Sequence, residues 1–253
     1  MVDYELRGPI AVLTINRPEA KNAVNGAVAQ GIEDGIDKAE ADDDVWCVVL
    51  TGAGDVFCAG ADLKEINAGN GATLQTSRGG FGGFVQRERT KPVIAAVDGA
   101  ALAGGTELVL ACDMVVASKA ARFGIPEVKR SLVAAAGGLF RLPKVLPLPI
   151  AMELALTGDP FSAELAAEHG MINELCEPGE ALERAIVLAE RVTANAPLAV
   201  RETRKLVLQA DELSVDDGIH ASNKALMGLM ACEDFNEGLM AFIEKRDPAW
   251  KGR

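Results

Sequence analysis

Three stretches of this chain are apolar at nearly every position instead of at every second one: Val45–Thr51, Val93–Val97 and Met114–Ala117. A strand with one face in water alternates, whereas a strand that is apolar throughout is covered on both faces. Around these runs the pattern turns helical, with Val28, Ile32, Ile36 and Ala39 spaced along Asn25–Ala41, and again in Gly104–Ala111. Strands that alternate with helices define an α/β architecture. Val2–Leu6 and Ile10–Ile15, around Arg7-Gly8-Pro9, add an opening hairpin. Asp42-Asp43-Asp44 ends the first helix, and Ile172–Leu175 is a final short strand.

The last third is mostly helical. Ser162 and Gly170 bracket a short helix as N-cap and stop. Glu180–Thr193, Leu198–Gln209 and Val215–Met230 carry helical spacing. A shift in composition at Asn195-Ala196-Pro197 divides a core of residues 1–195 from a helical region, 196–253. Met227 and Met230 recur at helical spacing, as core or subunit contacts. Gly69–Gly83 is rich in Gly, Asn, Thr and Ser, and its Gly79–Gly83 stretch is expected to be mobile, as a surface loop or a flap over a ligand.

Composition narrows the function classes. The 253 residues are 49% hydrophobic and 25% charged, which is globular, and the formal net charge is -12. Such a chain repels nucleic acid and anionic membranes, and it has no basic run to offset that. The most apolar stretch, Val93–Ala117, is interrupted by Asp98, Glu107 and Asp113 and reads as buried core, not a membrane span. The opening residues have no basic n-region, so no targeting segment is expected and the location reads as cytoplasmic. Five cysteines, an odd number with no CxxC pair, argue for a reducing compartment and against a disulfide framework or zinc site. Two histidines leave little room for a His-based triad or metal centre.

Chemistry concentrates in two small-residue segments, Phe57–Glu65 (FCAGADLKE) and Gly99–Asp113 (GAALAGGTELVLACD). Each reads as strand, tight turn and helix. A turn into a helix leaves N–H groups unpaired at the helix start, where the dipole also favours negative charge. Small residues let a ligand approach that backbone. Two such turns facing each other would form an oxyanion hole of main-chain donors. Glu107 follows the second turn by one helical step. A glutamate on a helix usually faces water, but its neighbours Thr106 and Leu108-Val109-Leu110 are those of a buried helix, and a buried carboxyl is costly unless used or paired. Asp113 reads as a backbone tie, His169 as a helix end and Cys58 and Cys112 as small buried hydrophobes.

Taken in order, NRPEAKNA (Asn16–Ala23), the two segments above, ARFGIPEV (Ala121–Val128) and EGLMAFIEKRDP (Glu237–Pro248) resemble the crotonase, or enoyl-CoA hydratase/isomerase, family over nearly the whole chain. The resemblance implies a crotonase-like spiral of ββα repeats with a C-terminal helical region used in assembly, as a homotrimer or dimer of trimers. It implies an acyl-CoA thioester as substrate, with no separate cofactor or metal. The N–H groups of Ala61 and Gly104 would form the oxyanion hole. Glu107 and Glu127 would be the acid–base pair, Glu107 acting mainly on water and Glu127 on the C2 proton. The main chain at Ala59 would face adenine, and Phe242 and Lys245 would reach a neighbouring subunit's CoA. Lys64, just after the first turn, is a candidate for a CoA phosphate or pantetheine contact. Where the family's fatty-acyl hydratases read PGAGG, this chain has Ala134-Ala135-Ala136-Gly137-Gly138, with Ala135 at the position whose N–H holds water. That segment is more similar to members resembling carnitinyl-CoA dehydratase. Hydration of a 2-enoyl-CoA is the expected reaction. Carnitinyl-CoA dehydration, enoyl-CoA isomerisation, which needs one base and no bound water, and non-catalytic acyl-CoA binding are the alternatives.

Overall fold

The computed structural model describes residues 1–253. The opening hairpin pairs β1 (Val2–Arg7) antiparallel with β2 (Ile10–Ile15). Helix α1 (Gly26–Ala41) begins at Asn25, whose side chain accepts from the Val28 N–H. Its far end, at the acidic run, is closed by buried Lys91, whose Nζ donates to the carbonyls of Ala39, Glu40 and Asp42. From here the chain winds as a spiral. Each turn lays one strand in a large sheet and a second in a smaller sheet before a helix carries it onward.

The first such turn is β3 (Cys47–Gly52), β4 (Val56–Cys58) and α2 (Leu63–Asn67). A small hairpin of β5 (Gln75–Thr76) and β6 (Gly80–Phe81) precedes the next, β7 (Val93–Val97), β8 (Ala100–Leu102) and α3 (Gly104–Ala111). The third is β9 (Met114–Ser118) and β10 (Arg122–Gly124), followed by a 3-10 turn at Pro126–Arg130 and by α4 (Gly138–Val145) and α5 (Leu148–Thr157). The core closes with β11 (Phe161–Ser162), α6 (Ala163–Glu168), β12 (Glu174–Cys176) and α7 (Ala181–Thr193). Ser162 caps α6 as the sequence indicates, its hydroxyl accepting from the Leu165 N–H.

Stacked turns place like on like. The six-stranded sheet runs β1-β2-β3-β7-β9-β12, parallel from β2 onward, and the four-stranded sheet runs β11-β10-β8-β4, with β10, β8 and β4 parallel. The continuously apolar strands are indeed covered twice. One face of the large sheet enters the main core, with Leu13, Val48, Leu50 and Ala95, and the other packs under α7 through Val12, Val49, Ile94 and Val116. Ala181, Ala185 and Ala189 let that helix sit close.

The smaller sheet positions the site. In its register Cys58 lies beside Ala101, and Leu102 beside Gly124. The segments leaving β4, β8 and β10 therefore emerge side by side, and they carry Ala61, Gly104 and Glu127. Parallel sheets bind ligands at this carboxyl edge. Thr106 locks the edge together, its hydroxyl bonded to the Ala101 and Gly124 carbonyls.

Two expectations are corrected. Gly79–Gly83 is not a mobile loop, because its glycines are buried. Gly83 lies so close to α1 that a Cβ there would come within 2.1 Å of the Ala29 carbonyl oxygen. Met227 and Met230, expected as core or subunit contacts, are 66% and 46% exposed, which removes the core alternative and leaves the subunit contact. They lie on or beside α9 (Val215–Leu229), which with α8 (Pro197–Leu208) and α10 (Glu233–Glu244) makes the helical region. Within this chain α9 buries no residue and α10 buries only Asp234 and Ala241. The region is anchored by Arg204, which meets Asp113 at 2.9 Å, and by Trp250, which donates to the Ala194 carbonyl. Asp113 also accepts from the Val93 N–H, the backbone tie expected of it. No helix is long and apolar enough to cross a membrane.

Candidate functional site

The first turn is held from behind by the Asn16–Ala23 segment. Arg17 donates to the Ala23 carbonyl and forms a 2.6 Å ion pair with Asp62, which caps α2. Asn22 donates to the carbonyls of Ala53 and Val56 and accepts from the Arg17 N–H. The Ala59 N–H donates to the Lys21 carbonyl. Ala61 itself bridges Val24: the Val24 N–H donates to Gly60 O at 2.8 Å, and the Asp62 N–H donates to Val24 O at 2.9 Å. In that parallel pattern the bonds run through the flanking residues, so the N–H of Ala61 points away, free of any protein partner.

The second turn is strained. Ala103 sits at φ 52° and ψ -126°, a region that side chains other than hydrogen avoid. That conformation starts α3 at Gly104, whose N–H is one of the unpaired donors of a first helical turn. The two turns touch backbone to backbone. A Cβ on Gly60 would stand 2.8 Å from the Ala103 Cβ and 3.1 Å from the Gly104 nitrogen. A Cβ on Gly104 would meet the Phe81 ring at 2.4 Å, so the ring of the buried glycine-rich hairpin walls this donor. Ala61 and Gly104 thus present two main-chain N–H groups from contacting turns, at the positive end of a buried helix.

Glu107 is 3% exposed, on a helix that is buried except at Leu110. Its Oε1 accepts from the Gly138 N–H at 2.9 Å. Burial pushes its pKa up to about 7, against the bonds from Gly138 and the Ala136 N–H, while the Glu127 charge adds to the rise. Half-buried Glu127 is raised too, chiefly by burial, and its Oε2 is enclosed with no hydrogen-bond partner. The charge of Glu127 is felt at Glu107, and both carboxyls favour protonation. Arg141 stands beside Glu107 with no carboxylate in ion-pair contact; it donates to the carbonyls of Ala136 and Val85, clamping the loop that supplies Gly138.

The other sequence candidates divide. Half-buried Ala59 leaves its carbonyl without a protein donor. Ala135 is exposed with an unbonded N–H, next to the Ala136 and Gly138 donors that serve Glu107. Lys64 is exposed on α2 and makes no ion pair. Phe242 is 85% exposed, and Lys245 is the left-handed cap of α10. Sequence reasoning missed Arg17, Asn22, Asp62, Phe81 and Arg141. For the first two the signal was the Asn16–Ala23 motif, whose bonding pattern spans distant residues. Beyond Glu127 the site opens into a groove of about 330 Å³ between the 3-10 turn, α4 and α5, lined by residues including Ile125, Ala134, Leu139 and Met152.

Two contacting turns with free N–H groups and two carboxyls raised toward protonation at the same sheet edge are equipped to polarise a carbonyl and move protons next to it. The sequence model of the enoyl-CoA hydratase/isomerase family matches residues 5–253, and this chain belongs to that family. It is 50% identical to the crystal structure of enoyl-CoA hydratase from Mycobacterium tuberculosis H37Rv, with a TM-score of 0.96 covering 100% of this chain and 99% of that one. It is 39% identical to the mevalonyl-coenzyme A hydratase of Aspergillus fumigatus, covering 96% of this chain and 91% of that protein. It is 36% identical to a carnitinyl-CoA dehydratase of Salmonella typhimurium, covering 97% and 96%. The fold is the crotonase spiral.

Proposed function

We propose that this protein is a hydro-lyase that reversibly adds water to the double bond of a 2-enoyl-CoA thioester. The observation that carries this reading is that Glu107, buried and held by the Gly138 N–H, and Glu127, with one oxygen enclosed, leave the same sheet edge as the free donors of Ala61 and Gly104. The thioester oxygen accepts from the two N–H groups, which stabilise the enolate-like charge that develops as C3 is attacked. Glu107, as carboxylate, takes a proton from water while the water oxygen bonds to C3. Glu127, as acid, delivers its proton to C2, so the added atoms enter on one face. Dehydration retraces these steps. Two like charges cannot comfortably share a dry site, which supports one carboxyl carrying the proton while the other is ionised.

The remaining assignments complete the reading. The Ala59 carbonyl takes the adenine amino group, Lys64 meets phosphate or pantetheine, and the Ala135 N–H holds the water. Phe242 and Lys245 come from a neighbouring copy in a homotrimer or dimer of trimers. Coenzyme A arrives as part of the substrate, and no metal is required. Five cysteines, an odd number with no CxxC pair, support a reducing compartment, the cytoplasm. Isomerisation needs one base only and leaves the second carboxyl without a task.

Glu107→Gln and Glu127→Gln are each expected to slow crotonyl-CoA hydration by at least ~10²–10⁴-fold, with CoA affinity retained. Full-rate hydration in both variants overturns the reading. Loss of double-bond migration in one variant alone points to an isomerase.

A further inference from the structure

We infer that the groove between the 3-10 turn, α4 and α5 makes this site selective for enoyl-CoA thioesters whose acyl group is wholly apolar and longer than four carbons, against those ending in a charged or hydroxylated group. The inference rests on the hydratase reading of the same site. The groove is continuous with the chemistry, since Glu127 lines it and Ala134, also lining it, lies beside the Gly138 that holds Glu107. Glu127 is its only polar side chain; the rest of the wall is aliphatic, Met or Pro, including Ile125, Val133, Leu139, Met152 and Leu156.

A hydroxyl or carboxylate buried there would lose water and gain no donor. A trimethylammonium group, such as that of a carnitinyl thioester, fares no better. No aromatic ring lines the groove to receive a cation. The one carboxyl within reach is the proposed proton donor, and a cation beside it would favour its ionised form and withdraw the proton the reaction needs. An alkyl chain meets none of these costs. At roughly 30 Å³ per water-sized group, a groove of about 330 Å³ takes on the order of ten carbons. Leu132, Val133, Leu148 and Leu156 at its mouth are more than half exposed in the chain, and an alkyl chain in the groove would cover part of that apolar surface. The proposed acyl pocket therefore departs from the head groups that name two of the chain's relatives.

The test is kcat/KM for crotonyl-, 2-hexenoyl-, 2-octenoyl- and 2-decenoyl-CoA, and for an enoyl-CoA ending in trimethylammonium. Full burial contributes up to about fourfold per methylene, so the 2-octenoyl value should exceed the crotonyl value by tenfold or more, and the cationic thioester should be the poorest. Ala155→Phe, which fills the groove, should bring the octenoyl-to-crotonyl ratio back toward one. Met152→Ala, at a half-exposed position, should move the optimum to longer chains. A flat or falling series, or preference for the cationic end, overturns the inference while hydration of crotonyl-CoA keeps the hydratase reading intact. No turnover of any thioester overturns the hydratase reading instead. Groove variants that change the sedimentation of the protein but not the chain-length ratio assign this face to a contact between copies, and also overturn the inference.

Discussion

The two carboxyls of the site live in regions built differently. Glu107 belongs to a helix buried at every position but Leu110, and its Oε1 is fixed by the Gly138 N–H. Glu127 belongs to a short 3-10 turn that buries no residue fully, at the edge of an apolar groove, with one oxygen enclosed and unpartnered. A group held by hydrogen bonds keeps one position, whereas an enclosed carboxyl oxygen without a donor leaves a negative charge uncompensated and so favours the neutral form. The fixed position suits Glu107 as the base for water, a task it performs above its raised value of about 7, and the enclosed oxygen at the groove edge suits Glu127 as the proposed acid at C2.

The largest effect should come from breaking the pair. Because acid and base act as a unit, Glu107→Gln should lose about as much kcat as the double variant with Glu127→Gln, not the square root of it. A stopped-time assay on the two singles and the double decides this, and simple multiplication of the two losses would separate the carboxyls into independent roles.

Next comes the contact between the turns. Gly60→Ala puts a Cβ 2.8 Å from that of Ala103, at φ 94°. It should lower kcat/KM by ~10²-fold or more through misplacement of the Gly104 donor. It should also cost about 1–3 kcal/mol of stability by denaturant titration.

The fixed carboxyl also predicts a pH signature. Glu107 has an ordinary value of 4.5 that burial raises to about 7 in the folded chain. Below 4.5 both folded and unfolded forms keep the proton and there is no penalty. Between those values the unfolded chain releases a proton that the folded chain retains, so stability falls as pH rises, by up to about 3 kcal/mol, and levels off above 7. Glu107→Gln lacks this loss, so its stability advantage over the unmodified protein should grow from pH 4 to pH 7. Equal pH dependence in both would contradict the buried carboxyl. Arg141 opposes the rise, so Arg141→Leu should move the acid limb of the kcat/KM profile to higher pH.

How much of this was legible follows the same contrast. Glu107 could be singled out because its own neighbours, Leu108, Val109 and Leu110, announce a buried helix. The burial of Glu127 could not, because its 3-10 turn packs against α5, which comes later in the chain. The strands were readable from their unbroken apolar runs, since coverage on both faces leaves a local trace. The Arg17–Asp62 clamp joins residues 45 apart and leaves none. Gly79–Gly83 misled because glycine allows two opposite outcomes, mobility or close approach. The tertiary contacts of Gly82 with Leu108 and of Gly83 with Ala29 decide for the second.

The smallest effect is predicted for α10. Phe242→Ala removes a side chain that is 85% exposed and should change chain stability by no more than about 0.5 kcal/mol. If a neighbouring copy completes the CoA site, it should still weaken CoA binding. A large stability loss without a binding change would place Phe242 in an assembly contact alone.

The central claim, that two carboxyls on one side of a main-chain oxyanion hole add water to an enoyl thioester, is tested most directly by hydrating crotonyl-CoA in D2O and reading the product by NMR. The account predicts one deuterium at C2, on the same face as the new hydroxyl, with neither deuteration nor hydration at an appreciable rate in Glu107→Gln or Glu127→Gln. Addition to opposite faces, or hydration that survives both substitutions, would contradict it.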